Sequence, residues 1–447
     1  MQQLTLLPLS LVVVLAFAMR RVEGSWLGPG AFFGLYWSGF LCVTYVLLPD
    51  FTLTFSGVLW MVFAYGALIA GATLGYRRPA ERLPAPIARR HAAVSSESRL
   101  LQVLVISCAL LAVAATPILT AAAGVAASEL TSVGSFVQVA AFYTFNRYND
   151  PAFREPALGI ALYSFAYAGS ILGGRLFVLA RTVSAKLIAL LPLVSAGFLA
   201  LLMTTRALVL LSLLLWLSGY LVSNAMRGPA ERQLMSARKL VLFLFFCAVA
   251  LGLFVGGQLV RAGDADKVAR NEIYASVATS FMGSTSTFTT WFDETSWGQL
   301  PAYGWGTRTL SGPLNWVLPD FDRASIATFD PIVVGGGSEL GEDTTVATLF
   351  RELIYDFTPA GSLLLFAALG VFGARSWRRC VSHGLRGSAA LSVYYLIVLY
   401  SMMGFVYKFT TLIAVSLGFA AYCRLMGPRF HTEELHVDAR LGRVVYL

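Results

Sequence analysis

Three carboxylates, Glu339, Glu342 and Asp343, stand between the glycine run Gly335, Gly336, Gly337 and Arg351. A carboxylate on a hinged turn can take the proton from an attacking hydroxyl, and a guanidinium presents a planar fork of donors to phosphate oxygens. Arg206, Arg270, Arg147 and Arg154 are further candidates for holding such an anion, and Arg261, Arg308 and Arg323 share the polar segment that contains Arg270 and Arg351. In the same segment Trp291, Trp305 and Tyr355 are interleaved with Asp293, Glu294, Asp320, Asp322 and Asp330. Ring faces pack on the C–H surfaces of sugars while charged side chains bond hydroxyls, so this mixture suits a carbohydrate. Each feature also has a plainer reading. Exposed arginines are common, Trp and Tyr form the interfacial belt of membrane proteins, and a solvated acidic turn can simply start a helix, with Asp343 and Thr344 as its caps.

Arg206 stands apart from the other arginines. It opens an apolar run directly after Thr204 and Thr205, which can cap the helix, and a cation there faces the positive end of the helix dipole. That placement costs about 0.3 to 1 kcal/mol unless an anion lies nearby. Other chemistries find little support. There is no GxxxxGK[ST], and no GxGxxG between a strand and a helix, so the chain has no fingerprint for driving transport with a nucleotide. Asp264-Ala-Asp266 and Asp320-Phe-Asp322 have a spacing that some metal-dependent sugar-nucleotide enzymes use, but pairs of this kind arise by chance in an acidic segment. The five cysteines, Cys42, Cys108, Cys247, Cys380 and Cys423, show no CxxC spacing and suggest neither disulfide framework nor zinc site.

The elements that must position these residues are helices in a bilayer. Of 447 residues 57% are hydrophobic and 13% charged, with a mean hydropathy of +0.70. A soluble domain is about a quarter charged. Apolar runs at 4–19, 31–48, 55–74, 100–123, 158–180, 187–203, 207–223, 240–260, 360–373, 388–405 and 409–425 predict eleven transmembrane helices. The first lacks a basic leader and a small-residue cleavage site, and is read as retained. If the eleven alternate, 22 of the 33 Lys and Arg collect on one side, which the positive-inside rule makes cytoplasmic. The N-terminus is then outside and the C-terminus inside. His91, His383, His431 and His436 all fall on the inner side, which leaves no histidine for chemistry on the outer one. The net charge of +9 reflects these basic inner connections and not a nucleic-acid partner. Arg175, one and a half turns from an inner helix end, is expected to snorkel to the interface.

The organisation is therefore helices one to eight over 1–260, an extracytoplasmic cap over 261–357, and helices nine to eleven with a cytoplasmic tail over 358–447. The cap is rich in Trp and Tyr, which disordered segments lack, so it is expected to fold. Residues 264–292 lack proline and can be largely helical, 301–319 read as turns, and Val346, Leu349, Phe350, Leu353 and Ile354 repeat at helical spacing toward the ninth span.

This layout resembles the Wzy-type oligosaccharide repeat-unit polymerases of bacterial O-antigen and capsule assembly. The likeness rests on about eleven helices, basic inner loops and one large outer loop late in the chain. Locally, Gly341-Glu342-Asp343-Thr344-Thr345-Val346-Ala347-Thr348, followed by Tyr355-Asp356-Phe357-Thr358-Pro359-Ala360-Gly361, looks like the family's polar stretch leading into an Asp-Phe-Gly element, with Thr358 in place of that glycine. Thr204-Thr205-Arg206 also looks similar. The resemblance implies a GT-C-like membrane glycosyltransferase in the bacterial inner membrane. It would move a growing glycan from undecaprenyl diphosphate to a lipid-linked repeat unit, without metal or other cofactor and with a chain-length regulator as a possible partner. Arg206, Arg270 and Arg351 would then contact the diphosphate, and Glu339, Glu342 or Asp343 would be the base. O-antigen ligases share the layout but are expected to use an outer histidine. A cell-wall glycan polymerase is a further enzyme alternative, and a lipid-linked oligosaccharide flippase is the alternative from another class.

Overall fold

Helices carry the fold, as a bilayer demands of a chain whose backbone polar groups find no water there. The computed structural model of the protein describes residues 2–47, 51–77, 91–150, 153, 155–227, 283–295, 304–318, 332–334, 342–344 and 348–440. In the first part of the chain the helices are α1 (Gln2–Glu23), α2 (Pro29–Leu47), α3 (Phe55–Tyr76), α4 (His91–Val113), α5 (Thr116–Ala122), α6 (Val133–Asn149), α7 (Ala157–Leu179), α8 (Val183–Ile188), α9 (Leu191–Leu202) and α10 (Arg206–Ala225). Then come α11 (Ser284–Glu294), α12 (Ser311–Val317), a short antiparallel ladder of β1 (Ile332–Val334) and β2 (Glu342–Thr344), and α13 (Leu349–His383), α14 (Leu385–Tyr400) and α15 (Thr410–Arg440). Eight helical segments among the described residues are long and apolar enough to cross a membrane, so the chain is a multi-pass membrane protein. The predicted span at 240–260 lies outside the described residues.

Several expectations change at the ends of elements. Proline divides two predicted spans: α4 stops before α5, which carries Pro117 in its first turn, and α8 stops before α9, which carries Pro192. The connection holding Arg147 is itself partly helical, as α6. Residues 301–319 are not turns throughout, because α12 occupies their second half.

Glycines let two helix pairs approach backbone to backbone. A Cβ on Gly71 would collide with the backbone of Ala367, and one on Gly370 with that of Leu68, which locks α3 to α13. Gly174 against Trp216 and Gly219 against Ile171 do the same for α7 and α10. Close approach of this kind drives association where lipid removes the hydrophobic incentive between helices. At the inner end, Glu23 closes the tight turn into α2 by accepting the N–H groups of Gly30 (3.0 Å) and Ala31 (2.9 Å), and Tyr76 donates its hydroxyl to the same carboxylate.

Arg175 does not snorkel. It is 1% exposed, and its Nε donates at 2.7 Å to Glu97, itself buried, while Tyr422 donates to the same carboxylate oxygen at 3.3 Å. Two charges inside a bundle are tolerated when paired and hydrogen-bonded, and snorkelling would have broken the pair.

At the outer end an aromatic core joins α2, α3, α11 and α13. Phe350 packs on Trp37 (4.7 Å between ring centroids), Phe366 (5.2 Å), Phe288 (5.3 Å) and Trp60 (5.8 Å). Thr54 caps α3 by accepting from Gly57, and its hydroxyl donates to Thr289 at 2.7 Å, which fastens α11 over the helix start.

Candidate functional site

Arg351, Glu352, Tyr355 and Asp356 occupy the first turns of α13, where spacing by four makes two neighbouring pairs, Arg351 with Tyr355 and Glu352 with Asp356. The helix starts where the sequence offers a cap. That cap is Thr348, whose hydroxyl accepts from Arg351 N–H, while Leu349 N–H donates to Ser401 at 2.7 Å. Asp343 and Thr344 are not the caps, because they lie in β2, paired with Val333 and Ile332.

The first pair builds a stack of cations and rings. Arg351 is 1% exposed, with its guanidinium carbon 5.3 Å from the Trp291 ring centre and 5.7 Å from that of Tyr355. The two rings lie 5.1 Å apart at 26°, and Trp291 Nε1 donates to the Tyr355 hydroxyl at 3.2 Å. Arg308 places its guanidinium 4.9 Å over the Tyr355 ring. Each desolvated cation–ring contact is worth up to about 2 kcal/mol and orients the guanidinium without covering its donor edge.

The second pair holds the surrounding turns. Asp356, fully buried, accepts from Arg308 N–H (3.2 Å), Thr309 N–H (2.8 Å) and Thr309 Oγ1 (2.8 Å). Gly304 N–H donates to Tyr355 and Trp305 N–H to Asp356 main-chain oxygen, so the turn 304–310 is docked along this end of α13. Glu352 accepts from Phe405 N–H and from Lys408 Nζ at 2.8 Å, which clasps the turn before α15. Gly404 in that turn has a φ of +115°, reserved for glycine, and a Cβ there would strike the Glu352 carboxylate. With their oxygens taken by donors, these acids are a frame and not a base. Beside them, burial pushes the Tyr407 hydroxyl up to about 12, so it stays protonated, within 3.0 Å of Ser416.

Directly after Asp356 the helix breaks. Phe357 leaves helical geometry, Thr358 has φ +66° and ψ 165°, and Pro359 starts the leg that enters the apolar core, with Gly361 N–H donating to Thr358 Oγ1 at 3.1 Å. The conformation at Thr358 is one that glycine adopts without strain.

Of the sequence-predicted residues, the fold brings Arg351, Trp291 and Tyr355 together. Trp305 is on the docked turn with its side chain 78% exposed. Arg206 is the first residue of α10, as expected, but Thr205 in the cap position makes no side-chain cap bond. Thr204 bonds Thr144 of α6 at 2.7 Å, so the turn before Arg206 is tied to the helix that carries Arg147. The backbone of Glu342 and Asp343 lies in β2, whose partner β1 rests near α11. Glu339, Arg270 and Arg154 lie outside the described residues, as do both Asp-x-Asp pairs and the glycine run. Sequence reasoning missed Arg308 as a member of the site, and Glu352, Asp356 and Lys408 as its frame. The spacing of Glu352 and Asp356, each one residue after Arg351 and Tyr355, is a signal that was present; Lys408 offers none, because it approaches from 56 residues away.

No protein-family model, curated protein or solved structure matches this chain. The class that the fold defines is a multi-pass membrane protein with an arginine and aromatic cluster at the start of a kinked, apolar helix.

Proposed function

We propose that the protein is a membrane glycosyltransferase that transfers a growing glycan from undecaprenyl diphosphate to a lipid-linked oligosaccharide repeat unit on the outer face of a bacterial inner membrane. The observation that carries the reading is the convergence of Arg351 and Arg308 on the stacked Trp291 and Tyr355, beside the break at which α13 becomes apolar. A lipid-linked sugar diphosphate has the matching parts: two phosphates that gain charge as the glycosidic bond breaks, a pyranose with apolar faces, and a hydrocarbon tail. Preoriented guanidinium groups stabilise the departing diphosphate, and ring faces seat the sugar. One of Glu339, Glu342 and Asp343 takes the proton of the acceptor hydroxyl, and Arg206, with Arg147 and Arg154 nearby in the topology, and Arg270 in the cap, supply further phosphate contacts. The reading includes eleven spans in a GT-C-like arrangement, the cap at 261–357, an outer N-terminus, and a chain-length regulator acting from outside. A ligase or cell-wall polymerase uses the same donor chemistry with a different acceptor.

The test is mass spectrometry of lipid-linked glycans in a deletion strain carrying each variant. Arg351→Ala, Arg308→Ala and Arg206→Ala should accumulate single repeat units at normal membrane abundance, and wild-type chain lengths from all three would reject the diphosphate role. Among Glu339→Gln, Glu342→Gln and Asp343→Asn, one should lose about 10²-fold or more in turnover, the usual cost of losing a general base. Sidedness is checked with Glu294→Cys, which an impermeant thiol reagent should reach from outside, and His383→Cys, which it should not; both positions are exposed.

The buried Glu97 and Arg175 favour one second reading, a lipid-linked oligosaccharide flippase, because paired charges inside a bundle are what a transport path employs. Repeat units trapped on the inner leaflet in the deletion strain would support it over a polymerase.

A further inference from the structure

The outer turn that carries Arg308 leads into a helix that is inside out for water. α12 turns its small and polar side toward the protein: Ser311 is buried, and a Cβ on Gly312 would strike the Lys408 carbonyl and lie 3.1 Å from Thr410. Its open side is apolar. Leu310, Leu314, Val317 and Leu318 follow at helical spacing, with Leu314 N–H bonded to Leu310 at 2.9 Å and Leu318 N–H to Leu314 at 2.8 Å. Leu310, Val317 and Leu318 are 42%, 75% and 51% exposed, and Trp305, on the preceding turn, is the most open of the set. Trp305 also holds a φ of +49°, and its N–H is committed to Asp356, so a fixed turn displays it.

The place of this segment in the fold identifies what covers that stripe. One end is bolted through Asp356 to the break at Thr358, and the other packs on 408–410. These are the outer ends of two apolar helices, α13 and α15, whose Leu364 and Leu417 are exposed to lipid. The apolar stripe is therefore level with the boundary where those helices leave the bilayer, and continuous with their lipid-facing surface. A helix with its polar side against protein and its apolar side open suits the plane of the membrane interface, where Trp is also favoured.

We propose that residues 304–318 are a non-spanning interfacial element that seats Trp305, Leu310, Val317 and Leu318 in the outer leaflet, with bilayer lipid as its partner. A consequence rests on the function proposed above. Arg308 lies between Trp305 and Leu310 and reaches back over Tyr355, so anchoring the turn in lipid holds that guanidinium at the depth of a lipid-linked diphosphate.

The full chain is reconstituted in phosphatidylethanolamine and phosphatidylglycerol vesicles with Cys42, Cys108 and Cys247 replaced by Ala, leaving the buried Cys380 and Cys423. An environment-sensitive fluorophore on Val317→Cys should lose emission to spin-labelled lipid and keep it in iodide, whereas one on Glu294→Cys should do the reverse. Iodide quenching at 317 equal to that at 294, or quenching by neither agent, which would mean a protein covers the stripe, overturns the proposal. In a turnover assay Val317→Ser/Leu318→Ser should raise KM for the lipid-linked donor about tenfold with kcat kept, the mark of weakened binding. An unchanged KM overturns the link to substrate. A wild-type protein without any glycan transfer strikes the functional reading and leaves the quenching result standing.

Discussion

Two carboxylates meet cations at opposite ends of the helices, and their surroundings differ. At the inner end Glu97 and Arg175 are sealed in the bundle, with side chains 8% and 1% exposed and with Tyr422 and Ser223 completing the polar set. At the outer end Glu352 is equally buried, but its partner Lys408 is 25% exposed and belongs to a turn and not to a span. The inner pair joins α4, α7, α10 and α15, and its loss strands a charge where no water can answer it. The outer pair fastens one turn beside Arg351, and its loss leaves a lysine that can reach solvent. Similar chemistry therefore serves stability in one place and positioning in the other.

The largest effect expected from breaking the comparison is at the inner pair. Glu97→Ala should cost about 3 to 5 kcal/mol, because one buried partner is left uncompensated, while Glu97→Leu with Arg175→Met should recover much of it. Thermal unfolding in detergent measures both. An unaltered melting temperature in Glu97→Ala would mean that the inner pair contributes nothing.

Next in size is Arg351→Ala, which should leave unfolding close to wild type and lower glycan transfer about 10²-fold, the scale on which one preoriented donor acts in a transition state. Arg351→Lys should restore only part, since an ammonium cannot reproduce a planar fork against the rings. Full activity in the alanine variant would reduce Arg351 to a packing residue.

Glu352→Gln sharpens the contrast from the other side. It keeps the side chain's size but loses the ion pair with Lys408, so stability should fall by about 1 to 3 kcal/mol, less than for Glu97→Ala. Transfer should fall more than stability predicts, as the turn at 401–409 loosens beside Arg351. A variant with lower stability but wild-type turnover per folded molecule would make the outer pair as purely structural as the inner one.

The smallest expected effect is at the helix break. Thr358→Gly removes the positive-φ strain of about 1 kcal/mol and also the hydroxyl that accepts from Gly361, worth about the same, so stability should change by less than about 1 kcal/mol. Thr358→Ala loses the hydroxyl and keeps the strain, and its melting temperature should lie below both. Equal values for Ala and Gly would show that the backbone at 358 is not strained.

What the sequence determined by itself follows from local physics. Apolar runs of spanning length predict membrane helices because the bilayer admits little else, and eight such segments stand in the structure. The helix carrying Arg351 toward the ninth predicted span, and the α10 start at Arg206, were legible from periodicity and from polar residues at the boundary. Trp291 and Tyr355 were legible as aromatics among charges, but not as a stacked pair. Tertiary structure alone decided the rest. Glu97 meets Arg175 across 78 residues and Glu352 meets Lys408 across 56, distances over which no sequence period operates. A charge in an apolar run reads as snorkelling until a second helix supplies its counter-ion, and Asp356 reads as a candidate acid until the 304–310 turn fills its oxygens. Partner choice for a buried polar group is set by which backbones can approach, and here that rests on glycines at helix crossings, whose role is invisible until two helices meet.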